Sequence, residues 1–327
     1  MKRITALLLL LALLCGCSAA TPAPQEDESL IVVGFSQVGA ESDWRVANSE
    51  SIKNTFTEAN GYELMFSDAR QQQENQFTAI RNFIQQEVQY IILAPVQESG
   101  WESVLEEARD AGIPVILLDR KIDVADESLY TSWVGTDFKK EAVTAMDWLG
   151  STLEASGRAE DTIRILHLQG TMGCTAQLMR TEGLEEAAAA HPNWVIAGQL
   201  HGEFTQAKAY EVTSEYLRSR RDLDVVYCEN DNMAFGVMQA LDEAGLSYGV
   251  DGDIILISFD AARRALESCL DGKINLCMEC NPLQGPRVAE LIQALERGET
   301  VPRESYVPET FFTPDALTPE RIAERAY

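Results

Sequence analysis

The stretch ENQFTAIRNFIQQEVQYIILAPV (Glu74–Val96) carries two periodicities back to back. In its first half Phe77, Ile80, Phe83, Ile84 and Val88 recur at helical spacing, the stripe of a helix with one buried face. Its second half, QYIILAPV, is a short unbroken apolar run, which is how a strand covered on both faces reads. Parallel neighbours cannot be joined by a tight turn and need a crossover, usually a helix. A helix feeding a doubly covered strand therefore predicts an α/β architecture with a parallel sheet.

The same alternation extends in both directions. Strands are predicted at LIVVGFS, YELMFSD, QYIILAPV, IPVILLDR, TSWVGTD, IRILHLQG, WVIAGQLHG, DVVYCEND, DIILISFD and KINLCMEC, with helical patterns between most of them. That is too many for one compact sheet in 327 residues, so two lobes are expected. No long helical pattern lies between Arg120 and Phe138, where the chain is expected to pass from one lobe to the other, and ECNPLQGP suggests a return. The division this implies is residues 30–134 plus 283–306 for an N-terminal lobe and 135–282 plus 307–327 for a C-terminal lobe. Two Rossmann-like lobes joined by a hinge of several crossings could close around a ligand.

The ends and the charge narrow the setting. Formal net charge is −26, from 52 acidic against 26 basic residues, which repels nucleic-acid phosphates and excludes nucleic acid as a partner. Lys2 and Arg3 precede the apolar run Ile4–Leu14, long enough for an export signal and too short to span a bilayer. The following LCGC resembles a bacterial lipobox, with Cys17 the lipidated residue after a signal of residues 1–17; the alternative is a plain signal cut near Ala20. Residues 18–29, with two prolines, several acids and no apolar period, read as a flexible tether. Five further cysteines, Cys174, Cys228, Cys269, Cys277 and Cys280, are an odd number for a disulfide framework. The lone Cys-x-x-Cys of CMEC has no partner pair or nearby histidine, so no metal is expected and the two read as small buried hydrophobes.

In open parallel sheets ligands bind beyond the carboxyl ends of the strands. The residues at those positions are Gln37, the group Glu41, Ser42, Asp43, Trp44 and Arg45, then Asp68, Asp119 with Arg120, Gln169, Glu229-Asn230-Asp231 and Asp260, with Arg180 inside the helix after LQGTMG. Guanidinium offers paired donors, carboxylate paired acceptors and amide one of each, which matches vicinal hydroxyls. An indole supplies an apolar floor for the C–H face of a sugar ring. Taken singly, Asp43 and Asn230 are also helix-cap candidates, Asp68 a turn residue, and Asp119–Arg120 a surface ion pair.

VGFSQVGAESDWR, QENQ, APVQESGWESVLEEARDAGIPVILLDRKID, LQGT, GEFTQAKA, ENDNMAFGVMQALDEAG, SFD and NPLQGP together resemble the sugar-binding proteins of ABC importers with the ribose-binding type I fold, and within them the galactofuranose-binding branch. The likeness runs from about Ile31 to Tyr327. It implies ligand contacts at Glu41, Ser42, Asp43, Trp44, Arg45, Asp119, Arg120, Arg180, Asn230 and Asp260, with Asn281 at the hinge as a further one. Asp43 stands where those relatives have glycine, and Ala261 follows Asp260 where glycine is usual. The resemblance implies a monomeric, lipid-anchored receptor outside the cell membrane that delivers a monosaccharide to the transmembrane permease subunits, without a cofactor. An extracellular receptor serving a sensor kinase or chemoreceptor would look the same.

An enzyme is not expected. There is no GxSxG elbow, Walker loop or HExxH, and His167, His191 and His201 have no ligand spacing. A transcription regulator of the same fold would need a DNA-binding headpiece where this chain has an export signal.

Overall fold

The computed structural model describes residues 29–327. The signal, Cys17 and all but the last residue of the tether lie outside the described residues. The first five strands are β1 (Ile31–Gln37), β2 (Tyr62–Asp68), β3 (Tyr90–Leu93), β4 (Val115–Leu118) and β5 (Ser132–Gly135). Between them run α1 (Asp43–Thr55), α2 (Gln73–Gln85) and α3 (Glu102–Asp110). A second series follows: α4 (Phe138–Ala155), β6 (Ile163–Gln169), α5 (Thr175–Ala190), β7 (Trp194–His201), α6 (Gln206–Leu217), β8 (Val225–Cys228), α7 (Asp231–Ala244), β9 (Ile255–Asp260), α8 (Arg263–Leu270) and β10 (Leu276–Glu279). The chain ends with α9 (Gly285–Glu296), β11 (Glu304–Tyr306), β12 (Phe311–Phe312) and α10 (Pro319–Ala323).

The strands form two six-stranded sheets, ordered β11-β5-β4-β3-β1-β2 and β12-β10-β9-β8-β6-β7. Every pairing is parallel except β10 with β12. The two orders repeat one plan, in which each sheet reverses direction of growth beside its first strand. That reversal opens a crevice at the carboxyl edge.

Alternation within the apolar runs fixes which side chain goes where. Ile92, Ile116 and Leu118 pack with Ile52 of α1 and Ile292 of α9 on one face of the first sheet. Ile91, Leu93 and Leu117, one residue out of step, pack with Ile80, Phe83, Trp101 and Leu105 on the other. The second sheet divides in the same way, Leu166, Val226 and Leu256 facing Phe235 and Leu241, while Ile165, Tyr227 and Ile257 face Met146 and Leu149. Both faces are covered, which is why the strands read as continuous apolar runs.

The chain crosses between the sheets after β5, after β10 and between β11 and β12. The last two crossings are tied together: the Asn281 backbone N–H donates to Glu309 Oε1 at 3.1 Å. The second is also tied to α1, because Asn48 Nδ2 donates to the Pro282 carbonyl at 3.1 Å and the Gly285 N–H to Ser51 Oγ at 3.0 Å. Cys174, Cys228, Cys269, Cys277 and Cys280 are all buried free thiols. Among the described residues no helix is long and apolar enough to cross a membrane.

Candidate ligand-binding site

The carboxyl edges of the two sheets face each other across a cavity of about 310 Å³ of atom-free space. The first lobe contributes Glu41, Ser42, Trp44, Arg45, Asp119 and Arg120; the second contributes Arg180, Asn230 and Asp260. All nine come from the set expected on sequence.

Their local backbone explains how they arrive there. Ser42, not Asp43, is the N-cap of α1: it is extended, and its hydroxyl accepts the Arg45 N–H at 3.1 Å. The first turn of α1 then carries Trp44 and Arg45 into the cleft. Asp119 follows β4 with φ at 64°, and Asp260 ends β9 with φ at 104°, followed by Ala261 at 56°. Non-glycine residues in this region cost about 1–3 kcal/mol each and persist only where surrounding structure holds them. Here the sharp turn puts a cavity carboxylate at the strand end in both lobes, Asp119 just past β4 and Asp260 as the last residue of β9.

The first-lobe wall is a closed charge network. Arg45 Nε lies 3.0 Å from Glu41 Oε1 and its Nη2 lies 2.7 Å from Asp119 Oδ2. Arg120 stands 3.7 Å from Glu41 and 3.9 Å from Asp119, and donates to the Val96 carbonyl at 2.9 Å. Two cations thus meet two anions with their side chains nearly out of solvent. Burial would push the Glu41 carboxyl up, but Arg45 and Arg120 outweigh it and hold it below the usual carboxylate range. Two atoms in this wall remain unused: Glu41 Oε2, an acceptor, and Arg120 Nε, a donor, are buried without a hydrogen-bond partner among the described residues.

The second-lobe wall is organised around Arg180. Its Nε and Nη2 both donate to Glu141 Oε2, at 2.9 and 2.8 Å, and its Nη1 donates to the Glu229 carbonyl at 2.5 Å. Asn230 caps α7, accepting the Met233 N–H at 2.9 Å, and its amide donates to the Phe204 carbonyl at 3.1 Å. Burial, with the neighbouring Asp231 charge second, raises the Asp260 carboxyl well above its ordinary value against the pull of Arg180.

Aromatic rings close the cavity. Trp44 donates its indole N–H to the Cys280 carbonyl at 2.6 Å, so the ring is pinned to the hinge while lining the hollow. Phe138, Phe204, Ala176 and Cys280 also line it and were not anticipated. Polar groups at strand ends stand out in a sequence, whereas apolar walls look like any other core residue. The signal for Phe138 was its place directly after the TSWVGTD strand. Phe204 lies in the loop after β7, at φ 59°, with its ring against Gly170, where any Cβ would fall 1.9 Å from Cζ.

Two expected contacts lie outside the lining. Asp43 is exposed, and its backbone N–H donates to Asn232 Oδ1 at 3.1 Å across the cleft mouth. Asn281 is consumed by the hinge: its Oδ1 accepts the Leu283 N–H at 2.9 Å and its N–H is given to Glu309. Asp68 turns back on its own loop, accepting the Arg70 N–H at 2.7 Å. The mouth is joined at two further points, Lys121 N–H to Thr175 Oγ1 at 2.7 Å and Glu98 N–H to the Gly173 carbonyl at 3.3 Å.

Two parallel-sheet lobes, three crossings and a polar cavity between carboxyl edges define a hinge-closing solute-binding protein. The profile of the periplasmic binding protein domain matches residues 33–300, and the chain belongs to that family, with its type I fold. It is 37% identical over 294 residues to the galactofuranose-binding protein YtfQ of Escherichia coli, covering 89% of this chain and 90% of that protein. A crystal structure from Mycobacterium smegmatis in complex with β-D-fucofuranose is similar at a TM-score of 0.83 and 39% identity, over 87% of this chain and 92% of that one. The periplasmic binding component of the arabinose ABC transporter of Shewanella sp. ANA-3, bound to α- and β-L-arabinofuranose, is similar at 0.81 and 38%, with the same coverage. The family is one of binding proteins, not enzymes.

Proposed function

We propose that this chain is the sugar-binding subunit of an ABC importer and that its cavity takes one monosaccharide, galactofuranose or a related furanose or hexose. The observation that carries this reading is the unused acceptor and unused donor, Glu41 Oε2 and Arg120 Nε, in one buried wall. A hydroxyl is both donor and acceptor and can satisfy such a pair, which a purely anionic or cationic ligand cannot. The two cations and two anions of that wall balance, so it suits a neutral polyol. The relatives named above bind furanoses by their own descriptions.

Glu41, Arg45, Asp119, Arg120, Arg180, Asn230 and Asp260 would hold the hydroxyls, Ser42 would fix the loop, and Trp44, Phe138 and Phe204 would enclose the ring. A ligand that binds only the closed form favours closure by its differential affinity, and the closed shape is what a permease would recognise. We take the protein as a monomer outside the cell membrane, held there by a lipid on Cys17 and the tether after it, with the lobes divided as the sequence implies.

A thermal-shift screen tests the ligand class. L-arabinose, D-galactose, D-fucose, D-ribose and D-fructose are compared with methyl furanosides, whose ring form is locked. The true ligand at a hundred times its dissociation constant adds about 2.7 kcal/mol to the folded state. Stabilisation by furanosides alone fixes the ring form; no stabilisation by any sugar ends the reading. Gly170→Ala is expected to weaken the same ligand about tenfold or more while the chain still folds, because the new methyl displaces Phe204 from the cavity wall. Unchanged affinity in titration calorimetry would remove Phe204 from the site.

A further inference from the structure

Behind the cavity, at the hinge, Glu141 and Glu309 meet. One oxygen of each and Cys280 Sγ all lie within 4.8 Å of one another. Glu141 gives Oε2 to Arg180, while its Oε1 is buried with no hydrogen-bond donor among the described residues. Glu309 belongs to the crossing between β11 and β12, and its Oε1 accepts the Asn281 N–H of the crossing after β10. A buried acceptor without a donor is costly, and a buried carboxylate beside a second, half-buried one cannot cheaply leave both ionised. A single proton on the pair removes both penalties.

We propose that Glu309 is a positioning residue for Arg180: it shares one proton with Glu141, so that Glu141 keeps a single charge for the arginine and the hinge is bonded to the wall of the cavity. The sugar-facing half of this statement rests on the function proposed above; the shared proton does not. Burial, then the Glu141 charge, pushes the Glu309 carboxyl up, against the Asn281 N–H and Arg180. The groups around it agree. From the start of α4, Asp137 and Lys140 line the same outer hollow as Glu309, and both are exposed. Tyr306 of β11 lines it too, and Glu279 of β10 is engaged with Arg325 and Tyr327. Cys280 is held as a thiol by burial and by Glu141, and its Sγ lies 3.6 Å from Thr136 Oγ1. A metal ion would find three ligand atoms here, one residue of which already neutralises an arginine, so the proton is the better occupant.

The test uses the full chain in detergent, unfolded by urea from about pH 5 to about pH 9, wild type beside Glu309→Gln, whose amide donates to Glu141 at every pH. A proton bound more tightly in the folded state stabilises it at low pH and is lost as pH rises. The ratio of the wild-type folding constant to that of the variant is therefore expected to fall by up to tenfold per pH unit above the ordinary carboxylate range. A ratio independent of pH overturns the proposal. Should the variant not fold, infrared difference spectra of wild type with isotope-labelled glutamate decide it: a protonated glutamic acid carbonyl band at neutral pH that bleaches in alkali supports the shared proton, and its absence overturns it. Zn²⁺ added alone and bound in one equivalent by wild type, but not by Cys280→Ser, also overturns it in favour of a metal site. The affinity for methyl β-D-galactofuranoside is expected to fall at least tenfold from neutral to about pH 9 in wild type and to stay level in Glu309→Gln. Failure of that sugar to bind at any pH, with the stability ratio still sloping, counts against the sugar reading and for the proton.

Discussion

Asp119→Ala is expected to lower the unfolding free energy by about 3–5 kcal/mol and to abolish sugar binding. Asp119 Oδ2 lies 2.7 Å from Arg45 Nη2, and both side chains are 4% exposed. Without it, two buried guanidinium groups face the single carboxylate of Glu41. The loss measured is chiefly the cost of an uncompensated charge, so a second change that removes the charge should recover part of it: Asp119→Ala with Arg45→Met is expected to be more stable than Asp119→Ala alone. Asp119→Asn separates charge from conformation, since asparagine tolerates the left-handed backbone at φ 64° that alanine resists. Urea unfolding with linear extrapolation measures all three. A loss below about 1 kcal/mol for the alanine variant would mean that this pair behaves as a surface bridge and that the wall is not a closed network.

Trp44→Ala is expected to weaken the sugar by about 2–4 kcal/mol, some thirty- to a thousandfold, as for other central buried aromatic anchors. The ring does two things at once. It lines the cavity, with the Arg45 guanidinium carbon 4.7 Å from its centroid, and it ties α1 to the hinge through the bond to the Cys280 carbonyl. Trp44→Phe keeps a platform and removes the tie. Roughly tenfold weaker binding in the phenylalanine variant, against a much larger loss in alanine, would assign most of the effect to the platform. Titration calorimetry with whichever sugar stabilises wild type most gives the comparison. Binding by Trp44→Ala within threefold of wild type would show that the sugar does not rest on the indole.

The inner strands were legible because each is a run whose residues are mostly buried on both faces, whereas the edge strands β2 and β7 keep exposed residues and were marked by their β-rich runs between helices. β11 and β12 were not. A three-residue ESY and a two-residue FF pair only because a neighbouring edge is there to receive them, and nothing local says so. The start of α1 shows a similar limit at one-residue scale. Ser42 and Asp43 can both cap, and the choice falls to serine because its hydroxyl reaches the Arg45 N–H.

The cavity was legible in its polar residues, since chain topology sends strand ends to one place whatever the lobes' detailed packing. What remained hidden were groups whose role depends on a partner far along the chain. Glu141 is one acid in a helix, and Glu309 one acid in a proline-flanked segment. Only the hinge brings them together. Asn281 failed to reach the cavity for the same reason: the crossing takes its polar groups before a ligand could.

Three main-chain N–H bonds across the cleft mouth, beside a longer one from Thr175 Oγ1 to the Lys121 carbonyl at 3.4 Å, bear on how long a captured molecule stays. Each of the three is donated by a main-chain N–H, of Asp43, Lys121 and Glu98, to an acceptor on the opposite lobe. A typical bond of this kind contributes about 0.5–1.5 kcal/mol net, so the seam is weak enough to unzip on thermal fluctuation yet adds a toll to every escape. Exit would then be timed by parting the lips as well as by releasing the hydroxyls, and a membrane partner that supplied substitute acceptors to those three amides could unload the cargo without touching it.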